Sequence, residues 1–394
     1  MNTRRLLLFV LTAAITPWLT PGSDRNAVLS ASTATAGSEV DCSRENGNDA
    51  GQKIQACLDH LPSGGIADAR GLTGTQTVAH TITLVKPGTV LLLGSSTTLT
   101  LADGVTIDLV GSNVRVEGTG TTSVIRLGNQ SSIRVGSPGH PLWGWHVEKL
   151  TVNPSPGKLP IAGLMLNNAR QGIIREVWIS GIHGSAVDVA ENCWSDRAID
   201  SIVTENDIGY NFHGDALNAW NIRGGLINTN RIGLNFDLGS GRLQGFSISD
   251  GTQMEANKDA GIRLVSGTIL GLFLSEIYSE IFESQRLIKT QQSASQLHVG
   301  QLSITNGYIY SKDTPPLYLG SRPQDTVNAS ISSVILYHSQ RKMQIVEASG
   351  VNTSVTVSES ESESSVYADT STEQLAVSRD GARTSTMHGG IPAK

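Results

Sequence analysis

Two segments of this sequence repeat one another around a histidine: His183-Gly184-Ser185-Ala186-Val187-Asp188 and His213-Gly214-Asp215-Ala216-Leu217-Asn218. Laid one over the other, they stack His183 on His213 and Asp188 on Asn218, and Asp215 adds a carboxylate at the start of its strand. Asn235 and Arg263 continue the line, while Glu205, Asp207 and Arg231 fall in the turns after the preceding strands. Two sugar-cleaving chemistries fit such a set. Hydrolysis wants two carboxylates across the glycosidic bond, and Asp215 with Asp188 or Glu205 supplies them. β-Elimination wants a base and a cation that stabilises the developing negative charge, and His213 or His183 with Arg231 or Arg263 supplies these. The catalytic candidates are therefore Asp215, His213, His183, Asp188, Glu205 and Asp207. Trp178 alternates with Val177 and Ile179, so its indole is expected to point outward as a platform for a sugar ring. With Arg231, Arg263, Asn218 and Asn235 it makes up the candidate substrate contacts. The plainer alternative is that the histidines cap strands and the asparagines satisfy tight turns.

These residues lie some 20 to 30 positions apart, so the elements that carry them must stack. The stretch from His146 to Val346 supplies a repeat. Leu150, Val177, Ile202, Leu226, Phe246, Leu272, Leu302 and Ala329 form one apolar column, with Val152, Ile179, Thr204, Asn228, Ile248, Leu274, Ile304 and Ile331 two residues later. A second pair runs Leu164/Leu166, Val187/Val189, Leu217/Ala219, Leu234/Phe236, Ile262/Leu264 and Leu317/Leu319. Each unit is a short alternating strand, a polar turn and another short strand. Such a unit buries its apolar face only by stacking on its neighbours. The expected fold is all-β: a single-stranded right-handed parallel β-helix, a solenoid, with an N-terminal capping helix. The helix is expected over 48–61, where Asn48 or Asp49 caps it and Ile54, Cys57, Leu58 and Leu61 share a face.

The chain divides into four parts. Residues 1–36 read as an export signal: Arg4 and Arg5 precede an apolar run from Leu6 to Ile15 that is too short to span a bilayer. Residues 37–66 form the cap, 67–357 the β-helix, and 358–394 a low-complexity tail, opened by Ser358-Glu359-Ser360-Glu361, expected to be disordered. Loss of residues 1–36 removes three arginines and Asp24 and takes the net charge from −6 to −8. A mildly acidic protein is a poor partner for nucleic acid, and it needs a local basic patch or a metal to hold a polyanionic sugar; the expected partner, from the sugar-cleaving set above, is a polysaccharide. No membrane span is expected once the signal is removed, and oligomerisation is left open. The protein is expected to be secreted, periplasmic or at the cell surface. In such a compartment Cys42 and Cys57 can form a disulfide, leaving Cys193 free. Asp250 and Glu276 align in adjacent coils, a pair that binds calcium or simply repels through solvent. Calcium is thus the candidate cofactor, and no metal ligands are assigned.

The segment Asp49-Ala50-Gly51-Gln52-Lys53-Ile54-Gln55-Ala56-Cys57, then Leu61-Pro62-Ser63-Gly64-Gly65 and Asp68-Ala69-Arg70-Gly71-Leu72, resembles the N-terminal capping region of the pectate-lyase superfamily. This group shares a pectin-lyase-like β-helix and includes glycoside-hydrolase-28-like proteins and phage tailspikes. Thr252-Gln253-Met254-Glu255-Ala256-Asn257 with Ala260-Gly261-Ile262-Arg263-Leu264 resembles a coil of the same group. The resemblance implies the fold over residues 40–347 and a carbohydrate-active protein, a lyase or a glycoside hydrolase. It does not carry over a catalytic set. Where polygalacturonases have Asn-Thr-Asp, this chain has Asn228-Thr229-Asn230, and Val177-Trp178-Ile179 is followed by Ser180-Gly181 instead of Asp-His. A non-catalytic glycan-binding or structural surface protein of the same shape is the competing expectation.

Overall fold

A computed structural model describes residues 38–281, 285–312, 314–320, 322–338, 346–349 and 353–358, with three further strands at Tyr367–Ala368, Gln374–Arg379 and Arg383–Met387. The expected signal segment lies outside the described residues. The rest is a right-handed parallel β-helix of about 11 turns. Each coil lays down three short strands, which stack into three faces. The first face runs through Ala162–Leu166, Ser185–Val189, Ile208–His213, Ile232–Leu243 and Ala260–Ile269. The second runs through Ile173–Arg175, Arg197–Ile199, Trp220–Arg223 and Phe246–Ser249. The third is a separate 11-stranded sheet that includes Trp178–Ser180, Ile202–Thr204, Leu226–Asn228 and Gln253–Glu255. Long strands carry the first face around the corner into the second, so those two form one sheet.

The inward columns are apolar and shut. Leu164, Val187, Tyr210, Leu234 and Ile262 stack in register, as do Leu166, Val189, Phe212, Phe236 and Leu264. All are fully buried, and the Phe212 and Phe236 rings stack 5.0 Å apart. Here the sequence reading is corrected: the rung after Val187/Val189 is Tyr210/Phe212, not Leu217/Ala219. The expected long column also slips. Ile202 pairs with Trp178, one residue past Val177, and stands on the outer side of the third face. Phe246, Leu272, Leu302 and Ala329 do stack, but on the second face, beneath Trp220. The first error has a clear cause. The His-Gly repeat spaces its copies 30 residues apart, whereas the coil there takes 24, as the Asn206-to-Asn230 step shows.

The corner before the first face is held by buried asparagines. The Ile182 N–H donates to Asn206 Oδ1 (2.9 Å), the Asn206 N–H to Asn230 Oδ1 (3.0 Å), and the Asn230 N–H to Asn257 Oδ1 (3.2 Å). Each side-chain amide donates in turn to a carbonyl of its own ladder: Asn206 to Ile179, Asn230 to Val203 and Asn257 to Ile227. The residues just before them, Glu205, Thr229 and Ala256, adopt left-handed φ values of 59°, 51° and 49°. That conformation disfavours residues with a Cβ, and the ladder offsets its cost by satisfying the backbone groups that the sharp turn frees. Next to it, a Cβ on Gly209 or Gly233 would lie 2.4 or 2.5 Å from the carbonyl of the coil above, so the close approach requires glycine there.

The N-terminal cap takes the expected form. Helix Ala50–His60 begins at Asp49, whose carboxylate accepts the Gly51 and Gln52 N–H groups, and it packs on Gly74–Val78 and Ile82–Leu84. Cys42 and Cys57 are joined by a disulfide with Cα atoms 5.3 Å apart, and Cys193 is buried and free. No helix among the described residues is long and apolar enough to cross a membrane. At the other end the ladder does not stop at Val357. Tyr367–Ala368 pairs with Val346–Ser349, and Gln374–Arg379 pairs with Thr353–Ser358, Val355 lying beside Leu375 and Val357 beside Val377. The expected disordered tail is corrected to that extent, because Leu375-Ala376-Val377 keeps the period-2 alternation of a strand. The Ser-Glu run itself lies mostly outside the described residues.

Asn230 is fully buried and bonded on both sides. Asn230→Ala orphans the Asn206 N–H, and the expected loss is about 2–4 kcal/mol of unfolding free energy in urea. A loss below about 0.5 kcal/mol would remove the ladder from the account of this corner.

Candidate functional site

The candidate residues separate into two clusters on neighbouring parts of one surface. The first lies on the outer side of the first face. Asp188, Asn211, Asn235, Arg263 and Lys289 occupy one column in successive coils. Adjacent rungs sit about 4.8 Å apart, so these side chains touch. Arg263 Nε donates to Asn235 Oδ1 (2.8 Å), Asn235 Nδ2 to Asn211 Oδ1 (2.8 Å), and Asn211 Nδ2 to Asp188 Oδ1 (2.8 Å). The other oxygen, Asp188 Oδ2, lies 2.9 Å from Nε2 of His213, which sits two residues beyond Asn211 on the same outer side. Every donor in this relay points toward Asp188. An aligned chain of dipoles polarises its members and fixes their orientation.

This relay sets the protonation of its end groups. Burial alone would raise Asp188, but the hydrogen bonds from His213 and Asn211 outweigh it and hold the carboxyl below the ordinary range. The hydrogen bond to Asp188 raises His213 above the ordinary histidine value, against an opposing effect of burial. With Nε2 committed to the carboxylate, Nδ1 is the nitrogen left to accept a proton once the ring is neutral. Arg263 is lowered, first by burial and then by the nearby Arg231 charge, and no carboxylate lies within ion-pair distance of it among the described residues. The relay thus begins at a guanidinium held by Asn235 and by Gln291, 3.3 Å away, while Lys289 on the next rung is taken by Asp259.

The second cluster lines an open groove of about 820 Å³ along the preceding turn: Leu159, His183, Glu205, Asp207, Thr229, Arg231 and Lys258, backed by Asn206 of the ladder. Arg231 grips Asp207 with two bonds (2.5 and 2.9 Å), which hold the Asp207 carboxyl below its ordinary range. His183 and Arg263 add their charge to the same carboxylate, so the two clusters are electrostatically one neighbourhood. The Lys258 ammonium makes no ion pair among the described residues.

Three expectations are corrected here. His183 does not stack on His213: the Asp207 N–H donates to the Ile182 carbonyl, which puts His183 beside Asp207 in the turn. Asp188 stacks on Asn211, not on Asn218, which pairs with Trp194 on a different turn. Asp215 is a turn cap, its Oδ1 accepting the Ala216 and Arg242 N–H groups (2.6 and 2.9 Å). Trp178 is outward, 40% exposed, but stands on the third face, away from the groove lining. The sequence reading also missed Asn211, Lys258 and Lys289. Alternation along Gly209-Tyr210-Asn211-Phe212-His213, with Tyr210 and Phe212 inward, signals Asn211 and His213 together. Asp250 is taken by Arg223 (2.5 Å), and among the described residues no group of three or more His, Cys, Asp or Glu is arranged to hold a metal.

No protein-family profile matches the sequence, and no curated relative matches it. Solved structures do. The A-module of a mannuronan C-5 epimerase from Azotobacter vinelandii superposes with a TM-score of 0.52 at 14% identity, over 83% of this chain and 96% of that one. A family 28 exopolygalacturonase from Yersinia enterocolitica superposes with a TM-score of 0.51 at 11% identity, over 87% of this chain and 78% of that one. The chain shares the right-handed parallel β-helix fold with these structures. At these identities the likeness is one of fold.

The His213–Asp188 pair is doubly charged between the lowered pKa of Asp188 and the raised pKa of His213. Its contribution to stability is present in that window; it falls away in acid as Asp188 protonates and toward alkali as His213 deprotonates. NMR titration is expected to place His213 above the usual value of about 6.5. Asp188→Asn is expected to bring it back down. An unchanged titration in the variant would show that the pair does not form in solution.

Proposed function

We propose that this protein is an exported, carbohydrate-active β-helix that removes the proton α to a sugar carboxylate in an acidic polysaccharide. His213 Nδ1 accepts the proton, Asp188 holds the ring, and Arg263 neutralises the carboxylate as negative charge develops on it. Elimination follows when the electron pair left on carbon expels the glycosidic oxygen, which takes up a proton as it leaves. Return of the proton to the opposite face would instead invert the carbon.

The observation that carries this reading is the relay itself. It joins a base to its orienting carboxylate and starts from a guanidinium that has no carboxylate within ion-pair distance among the described residues. Lys258 and Arg231 line the adjacent groove, where neighbouring acidic sugars would lie. Arg231 is bound to Asp207, so Lys258, which makes no ion pair among the described residues, is the cation this groove offers a polyanion. Two of the superposed structures are named for such polymers, a mannuronan epimerase and an exopolygalacturonase. Hydrolysis is less well supported. Both oxygens of Asp188 are engaged, Asp207 is bound to Arg231, and Asp215 caps a turn, so among the described residues Glu205 stands in the groove without a second free carboxylate opposite it. Export rests on Arg4, Arg5 and the apolar run after them, together with the Cys42–Cys57 disulfide, which is a bond of oxidising compartments.

The test is a panel of uronate and neutral polysaccharides, each with added calcium and with chelator. Unsaturated product is followed by ultraviolet absorbance, and proton exchange into the polymer by NMR in heavy water. Unsaturated ends or solvent exchange are expected on a uronate polymer only, falling about 10²–10⁴-fold in His213→Ala. The rate is expected to rise with pH through the raised pKa of His213, and Asp188→Asn moves that limb to lower pH. Saturated reducing ends released from a neutral glycan would refute the reading.

A further inference from the structure

The third face carries an outward stripe that the groove does not use. Val124, Thr151, Trp178, Ile202, Leu226, Gln253, Tyr278, Tyr308 and Ile335 stand in register on successive rungs. Trp178 is 40% and Ile335 50% exposed, Val124, Ile202, Leu226, Tyr278 and Tyr308 are half-buried, and the two tyrosine rings stack 5.1 Å apart. Trp178, Ile202 and Leu226 make one continuous apolar run and Tyr278, Tyr308 and Ile335 a second, with the polar Gln253 between them, and exposed apolar patches on an outer face mark interaction sites. A second outward column runs beside it. Arg126 stands at one end without an ion pair among the described residues, and the neighbouring carboxylates of Glu255 and Glu280 stand toward the other.

Ile202 is the centre of this pattern. Arg126 lies three rungs before it and Glu280 three rungs after it. Trp178 and Leu226 flank it by one rung each. The geometry points to a second copy of this chain as the occupant, bound face to face and antiparallel about a two-fold axis that runs along the strands at Ile202. That operation sets each Arg126 opposite Glu280 of the other copy, Glu255 opposite Asn153, Trp178 opposite Leu226, and Ile202 against itself. Such an isologous contact closes with two copies. Charge decides the orientation: a parallel arrangement would place Glu255 and Glu280 against their own counterparts. The column continues back from Val124 through Thr98 to Thr75, and from Thr75 to Ile335 it is about 48 Å long and about 13 Å wide, on the order of 600 Å², which the flanking turns bring toward the ~800 Å² per partner of a stable interface.

Sedimentation velocity of the purified protein over a concentration series is expected to show a monomer–dimer equilibrium, and Ile202→Arg a monomer with unchanged circular dichroism. Arg126→Glu is expected to weaken the dimer at least about tenfold, since it sets like charges together at both ends. The double variant Arg126→Glu with Glu280→Arg is expected to restore it, a reversal that a mere folding defect would not produce. A monomer at every concentration overturns the inference. So does a trimer, or a dimer indifferent to the charge exchange. Shielding of the outward Trp178 indole from acrylamide quenching in a monomer would give the stripe to another occupant, such as a glycan, and overturns it as well.

Discussion

Everything in this protein depends on the coil closing onto the one beneath it at a single strand spacing. Parallel strands about 4.8 Å apart bring residues some 24 positions apart in sequence into side-chain contact. The turns that allow closure are sharp, so they hold residues such as Glu205 and Thr229 in a left-handed conformation. The buried chain of Asn206, Asn230 and Asn257 makes that conformation tolerable by capping the backbone groups freed at each corner. The same asparagine corner backs the groove. The constraint that closes the solenoid therefore also sets the floor on which Glu205, Asp207 and Arg231 stand.

The outer side of the first face turns stacking into chemistry. In an ordinary sheet a row of polar side chains is solvated and loosely ordered. Here four rungs pass hydrogen bonds in one direction, from Arg263 through two asparagines to Asp188, and His213 closes the row from the next position along its strand. The asparagines act as spacers that keep cation and anion from collapsing into an ion pair. Arg263 therefore keeps its charge available at one end, and Asp188 spends its charge on the histidine at the other. The contrast with Arg231 is informative. That guanidinium is already bound on two sides by Asp207, so it shapes the groove and contributes a weaker field to anything lying in it.

How much of this was legible beforehand depended on how local the signal was. The capping helix was readable because Asp49, Ile54, Cys57 and Leu58 are separated by single turns of helix. The solenoid was readable because apolar pairs recur. Register was not. The His-Gly resemblance between residues 183–188 and 213–218 offered a false alignment, and no local rule could weigh it against the 24-residue coil. One slip moved Asp188 from Asn211 to Asn218 and made partners of two histidines that lie in different parts of the coil. The candidate list still contained Asp188, His213, Asn235 and Arg263, because the polar positions of a strand are visible from alternation alone.

The sequence by itself determined that this chain is a parallel β-helix closed by a helix at its N-terminal end, since period-2 alternation, turn residues and helical spacing are properties of neighbouring residues. It also determined which residues carry charge on the outer surface. Only the tertiary structure decided which of them meet. Contact between coils is set by the exact number of residues each turn consumes, and a change of one residue moves every side chain to the opposite face. That count is fixed by the packing of Tyr210, Phe212 and Phe236 in the core and by the asparagine corner, both of which exist only once the coils are stacked.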